Sequence, residues 1–166
     1  MLSQFRALMA GLTMAAIVPL AAFGQGTEVS FGGIRADTKQ PVEVTADQLD
    51  VNQNDGTAIF TGNVIVIQGE MRLTAPRLQV EYGTEDKTEI ERLHATGGVT
   101  MVSGPEAAEA QEAVYTVAAG EVVLTGDVLL TQAGSTMSGQ KLVVDLDTGT
   151  GQMEGRVKTI LLPGKK

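Results

Sequence analysis

The sequence predicts an all-β, antiparallel stack built from about four 29-residue strand repeats, and three observations carry that reading. First, Thr-Gly-x-Val occurs at Thr61-Gly62-Asn63-Val64, Thr96-Gly97-Gly98-Val99 and Thr125-Gly126-Asp127-Val128, with a weaker copy at Glu154-Gly155-Arg156-Val157, so its glycines are spaced 35, 29 and 29 residues apart. Second, Val44-Thr45-Ala46-Asp47-Gln48-Leu49-Asp50-Val51 returns 29 residues later as Leu73-Thr74-Ala75-Pro76-Arg77-Leu78-Gln79-Val80, and again as Met137-Ser138-Gly139-Gln140-Lys141-Leu142-Val143-Val144. Ala108-Glu109-Ala110-Gln111-Glu112-Ala113-Val114-Tyr115 falls in the same register. Two motifs returning at matched offsets define a repeat from about Val42 to about Leu162. Third, apolar and polar residues alternate within each unit, which gives a strand one greasy and one wet face.

Composition fits this picture and narrows the function. The chain has 166 residues, 43% of them apolar and 19% charged, with twenty Gly, no Cys, no Trp and 4% aromatics. Its apolar content is therefore aliphatic, too high for a disordered chain and too interrupted for a membrane-embedded one. A net charge of −8 excludes a basic face for nucleic-acid phosphates. Without Cys there are no disulfides, thiolate nucleophiles or Cys-based zinc sites.

Taken in chain order, residues 1–24 read as a cleavable signal peptide. Arg6 precedes the apolar run Ala7–Ala22, and small residues Ala22 and Gly24 stand at the cleavage site. Cleavage after Gly24 takes the net charge to −9, from 11 basic and 20 acidic residues, and implies export to a periplasm. Residues 25–40 form a lead-in, 41–162 the β-domain and 163–166 a short tail. Within the domain, parity slips between Ala46 and Leu49, and the same slip in every unit marks a bulge or corner. The Thr-Gly-x-Val glycines are expected in tight turns. Asn52-Gln53-Asn54-Asp55-Gly56 and Asp145-Leu146-Asp147-Thr148-Gly149 read as hairpin turns, and Glu85-Asp86-Lys87-Thr88-Glu89 as a charged loop. Residues 105–113, rich in Ala and Glu, have helix propensity, while the repeat register reads them as strand; the register takes precedence.

The string Phe60-Thr61-Gly62-Asn63-Val64-Ile65-Val66-Ile67-Gln68-Gly69, after Pro41-Val42-Glu43-Val44-Thr45-Ala46-Asp47 and before Val122-Val123-Leu124-Thr125-Gly126-Asp127-Val128, resembles the OstA-like (LptA) family of lipopolysaccharide-transport bridge proteins. The resemblance runs from about Thr38 to Leu162. It implies a twisted, incompletely closed β-jellyroll shaped like a folded taco shell. It implies a periplasmic protein that shields the acyl chains of lipid A in a hydrophobic groove and bridges inner and outer membranes. Implied partners are lipopolysaccharide, LptC-like and LptD-like OstA-type domains, and further copies of the chain head-to-tail. Pro76 departs from the pattern, standing where Asp47 stands in the first unit. A structural adaptor with a dry core, or a membrane-anchored LptC-like member, remain alternative readings.

The inward positions by period are Val42, Val44, Leu49, Phe60, Val64, Val66, Leu78, Val80, Val99, Met101, Tyr115, Val117, Leu124, Val128, Leu142 and Val144. The resemblance implies lipid contact for Val42, Val44, Tyr115 and Val117 in particular. Residues 37–44 and 153–161 are expected as exposed strand edges, open to pairing with other modules. Met71, Met101, Met137 and Met153 suit gap-filling in an irregular interior. His94 is the single His, which leaves no Ser/His/Asp triad or multi-His metal site, and it is expected solvated at a strand end. No catalytic, metal or cofactor site is expected.

Overall fold

The computed structural model describes residues 27–30, 34–83 and 89–162. The signal peptide, part of the lead-in, most of the charged loop and the tail lie outside the described residues.

The described residues form eleven strands: β1 (Thr27–Ser30), β2 (Glu43–Thr45), β3 (Gln48–Asn52), β4 (Thr57–Gln68), β5 (Met71–Tyr82), β6 (Ile90–Ser103), β7 (Glu106–Thr116), β8 (Glu121–Gln132), β9 (Ser135–Asp145), β10 (Thr150–Glu154) and β11 (Lys158–Ile160). A single 3₁₀ turn, Val117–Ala119, joins β7 to β8. Every pairing is antiparallel, in the order β1-β10-β9-β8-β7-β6-β5-β4-β2, with β3 also on β4 and β11 also on β9. The sheet does not close into a barrel. Residues 106–116 are strand, so repeat register overrides helix propensity here. Ala108 and Ala113 are buried beside larger aliphatics, and tertiary packing outweighs a preference worth tenths of a kcal/mol per residue.

The long strands β4 to β9 each bend at their middle, which folds one continuous sheet into two facing layers. One layer holds β2, the later halves of β4, β6 and β8, the earlier halves of β5, β7 and β9, and β11. The other holds β3, the remaining halves, β10 and β1. Burial parity switches at the bend in β5, β7 and β9 and is kept through the bulge in β4, β6 and β8. In β5 the buried positions run Met71, Leu73, Ala75 and then Leu78, Val80, so both halves turn the same greasy face inward.

The bends are made by the two repeated motifs acting together, and this corrects the expectation of tight turns. Each Thr-Gly-x-Val lies in mid-strand, where two residues oppose one on the next strand: Gly62-Asn63 against Pro76, Gly97-Gly98 against Gln111, and Gly126-Asp127 against Gln140. Such two-against-one bulges sharpen strand twist and bend. A Cβ on Gly62 would stand 2.5 Å from Asp47 Oδ2, on Gly97 2.6 Å from Pro76 Cγ, on Gly126 2.8 Å from Gln111 Cβ, and on Gly155 2.6 Å from Gln140 Cβ. Those four neighbours are the fourth residues of the four second-motif copies. Each rung of the fold line is thus one glycine beneath one side chain of the preceding strand. The first rung is also bonded, Asp47 N–H to Gly62 C=O at 2.9 Å and Asn63 Nδ2 to Asp47 Oδ2 at 2.8 Å. The real turns lie between strands, including Asn52–Gly56 and Asp145–Gly149, both hairpin connections as expected. In the latter, Thr148 N–H donates to Asp145 Oδ1 at 2.8 Å, and that bond holds the Asp145 carboxyl below the ordinary carboxylate range.

Candidate functional site

The space between the layers is where the sequence-predicted residues meet. Val64, Val66, Leu78, Val80, Val99, Met101, Tyr115, Leu124, Val128, Leu142 and Val144 are buried in one continuous core. Val42, Val44, Phe60 and Val117 are half-buried and pack against it. Leu49 is the exception, 51% exposed. It pairs with Phe60 and therefore shares the interior face, but among the described residues β3 is the last strand of its layer. The four expected gap-filling methionines are all buried.

Several wall residues were not singled out by period. Leu93, Ala95, Ala113 and Val122 join Val66, Met71, Leu73, Leu78 and Tyr115 around a void of only about 10 Å³, at or below the space of one water. Their alternation is present in the sequence, but Ala steps are a faint apolar signal. The interior opens at one end. There a cavity of about 560 Å³ is lined by Leu49, Val51, Phe60, Tyr82 and the 52–57 turn, beside β3, the last strand of its layer among the described residues.

Three polar side chains are buried among the described residues: Gln68, Ser103 and Glu106. Gln68, at the end of β4, accepts a bond from the Tyr115 hydroxyl of the opposite layer at 2.8 Å. Its amide donates to Thr38 C=O at 3.2 Å and Gln40 C=O at 3.0 Å. Burial, reinforced by the charge of Asp147, pushes the Tyr115 phenol above its ordinary value. Ser103 Oγ donates to Arg35 C=O at 2.9 Å. Glu106 accepts from Gln132 Nε2 at 2.6 Å through one oxygen, and its other oxygen has no partner.

The lead-in, of which residues 37–40 are expected as part of an exposed edge, does something else over residues 34–40. It crosses the open side of the folded sheet, opposite the fold line. Ile34 is fully buried and Ala36 nearly so. Arg35 Nη2 donates to Thr148 C=O at 2.9 Å, and the Thr38 hydroxyl to Asp147 Oδ1 at 2.7 Å. These contacts reach the β9–β10 turn of one layer, while Gln68 and Ser103 reach in from the other. Of the expected edges, β2 and β11 are strands at the ends of their layer. The edge of β10 is taken by β1, which sequence reasoning did not foresee.

His94 corrects its expected position. It lies in mid-β6, paired opposite Val114, with Nε2 3.3 Å from Glu112 Oε2 on the outer surface. Among the described residues no group of His, Cys, Asp or Glu is arranged to hold a metal, and no helix is long and apolar enough to cross a membrane.

Residues 43–150 match the family described as the LptA/LptD N-terminal-domain lipopolysaccharide transport proteins. The chain belongs to that family. Among its relatives, an uncharacterized protein of Rhizobium meliloti (strain 1021) is 31% identical over 159 residues, covering 90% of this chain and 86% of the other. The lipopolysaccharide export system protein LptA of Escherichia coli (strain K12) is 32% identical over 141 residues, covering 80% and 76%. The crystal structure of LptH from Pseudomonas aeruginosa, titled as the LptA-homologous periplasmic component of the lipopolysaccharide transport device, superposes with a TM-score of 0.69. It is 23% identical and covers 77% of this chain and 99% of that one, so it shows the shared fold of this LptA-family member.

Proposed function

We propose that this LptA-family chain is a non-enzymatic lipopolysaccharide carrier of the periplasm, exported through residues 1–24, that holds lipid A acyl chains between its layers and bridges the two membranes. The observation that carries the reading is the interior itself: an aliphatic seam from β2 to β11 that opens, beside Leu49 and Phe60, into a 560 Å³ cavity with apolar residues on one side and the polar 52–57 turn on the other. Each acyl CH₂ left in water costs about 0.8 kcal/mol, so several chains crossing an aqueous gap cost tens of kcal/mol unless a protein covers them. Smooth walls of Val, Leu and Met suit a cargo that slides. The sixteen inward positions named from period are the proposed lipid contacts. The free edges of β2 and β3 at one end and of β11 and β1 at the other are the proposed joints to LptC-like modules, LptD-like modules and further copies, a heterologous contact that extends rather than closes.

The near-absent void between the central strands favours a second reading, an adaptor whose core stays dry. Photo-crosslinking in cells separates the two. A photoreactive residue at Val44 or Tyr115 captures lipopolysaccharide if the chain is a carrier; capture only from the outward Glu43 rejects the carrier in favour of the adaptor.

A further inference from the structure

A carrier whose central void holds about 10 Å³ must open before it can load. We propose that residues 34–40 are a detachable strap that roofs the long open side of the sandwich, clasped by Gln68 and Tyr115, and that the strap lifts to let acyl chains lie between the layers. The proposal rests on the carrier reading and adds the route and the moving part.

The other sides are poorly suited to opening. Along the fold line β4 to β9 pass unbroken from one layer to the other, and strand ladders hold each layer laterally. The strap is held differently. Residues 34–40 belong to no strand, and single bonds tie them to their surroundings: Gln68 to Thr38 and Gln40, Ser103 to Arg35, Arg35 to Thr148, and Thr38 to Asp147. Water can replace such bonds one at a time, whereas a ladder opens only cooperatively.

The anchors also lie on both rims. Gln68 and Ser103 end strands of one layer, and Asp147 and Thr148 belong to the turn of the other, so the strap ties the rims together. Two of the three buried polar side chains of the described core bond its backbone. The Tyr115 hydroxyl then connects Gln68 across the interior. Buried groups committed to a coil segment make sense if that segment must be held shut and yet released. Ile34 and Ala36, the strap's own buried side chains, fill the side of the groove that an acyl chain would take.

The absence of native Cys gives a direct test on the full-length mature protein. In Thr38→Cys/Asp147→Cys, whose native side chains meet at 2.7 Å, a short bis-methanethiosulfonate linker joins the two thiols and locks the strap, and reduction frees it. Uptake of fluorescently labelled lipopolysaccharide is expected to fall at least tenfold in the linked form and to return to the wild-type level with dithiothreitol. Equal uptake in both forms overturns the strap while leaving the carrier reading intact; no uptake by wild type either removes both. Thiol labelling supplies a second readout. In Ile34→Cys, at a fully buried strap position, adding lipopolysaccharide should speed modification by a maleimide at least tenfold, whereas Glu43→Cys, at an exposed position, should react equally fast with and without it. An unchanged or slower rate at position 34 overturns the proposal.

Discussion

Gly97 and Gly98 are adjacent, share nearly the same backbone φ (+92° and +96°), and differ in what lies over them. A Cβ on Gly98 meets nothing within 4 Å, whereas one on Gly97 meets Pro76 Cγ at 2.6 Å. Gly98→Ala therefore carries only the backbone penalty of a side chain at positive φ, about 1–2 kcal/mol. Gly97→Ala carries that and an overpacking cost of about 1–3 kcal/mol, because a ring carbon cannot swing aside as a flexible tip can. For a domain of this size each kcal/mol moves Tm by roughly 3–5 °C, so the two variants should melt several degrees apart. Pro76→Ala deletes Cγ and leaves Cβ at an ordinary 3.8 Å, so Gly97→Ala/Pro76→Ala should recover most of the difference in a double-mutant cycle by thermal or urea unfolding. Equal Tm for the two glycine variants, or a cycle without coupling, would refute the stacked-rung account and leave backbone conformation as the sole reason for glycine.

Other expectations follow from the same structure. Leu124→Ala, at a fully buried wall position, should lower stability by about 2–5 kcal/mol, seen as a shifted urea midpoint with unchanged slope. Because the fold raises the Tyr115 pKa, its contribution is intact below the unfolded value of 10 and is lost as pH climbs through the folded value. Wild type should thus lose stability above pH 10 more steeply than Tyr115→Phe, and parallel pH curves would contradict this. Replacing Leu49 and Val51, which are 51% and 61% exposed, with Ser should change stability by about 1 kcal/mol or less. It should slow transfer of labelled lipopolysaccharide through the adjoining cavity, and an unchanged transfer rate would remove that cavity from the path.

Much of the fold was legible because a repeat states its rule several times over. Period and parity placed Val64, Leu78, Leu124 and Leu142 inward, and the slip after Ala46 announced the bend. The glycines were misassigned to turns because positive φ is equally the mark of a hairpin and of a bulge; only the pairing partners, Pro76, Gln111 and Gln140, tell the two apart, and those are distant in sequence. Leu49 obeyed the register yet stayed exposed, since period reports direction and not whether a neighbour exists. The strap was the least legible part. Ile34 and Ala36 have no periodic context, and the backbone around them is bonded by Gln68 and Ser103, which read as ordinary polar strand ends. His94 misled for a related reason: being unique drew attention to it, while Glu112, its partner, sits on another strand.

The fold line also makes reach a countable property. Strands within a layer stand about 4.8 Å apart, so the seven steps from β2 to β11 give a seam of about 34 Å, close to the roughly 30 Å hydrocarbon thickness of a bilayer. One more 29-residue unit would add one glycine rung, two strands and about 10 Å without disturbing the angle between layers. The six extra residues that stretch one glycine interval from 29 to 35 instead fall around the β5–β6 connection, off the fold line, where they leave the count of rungs unchanged. Length in such a molecule grows by whole units, while variation in loop size is absorbed at the rims.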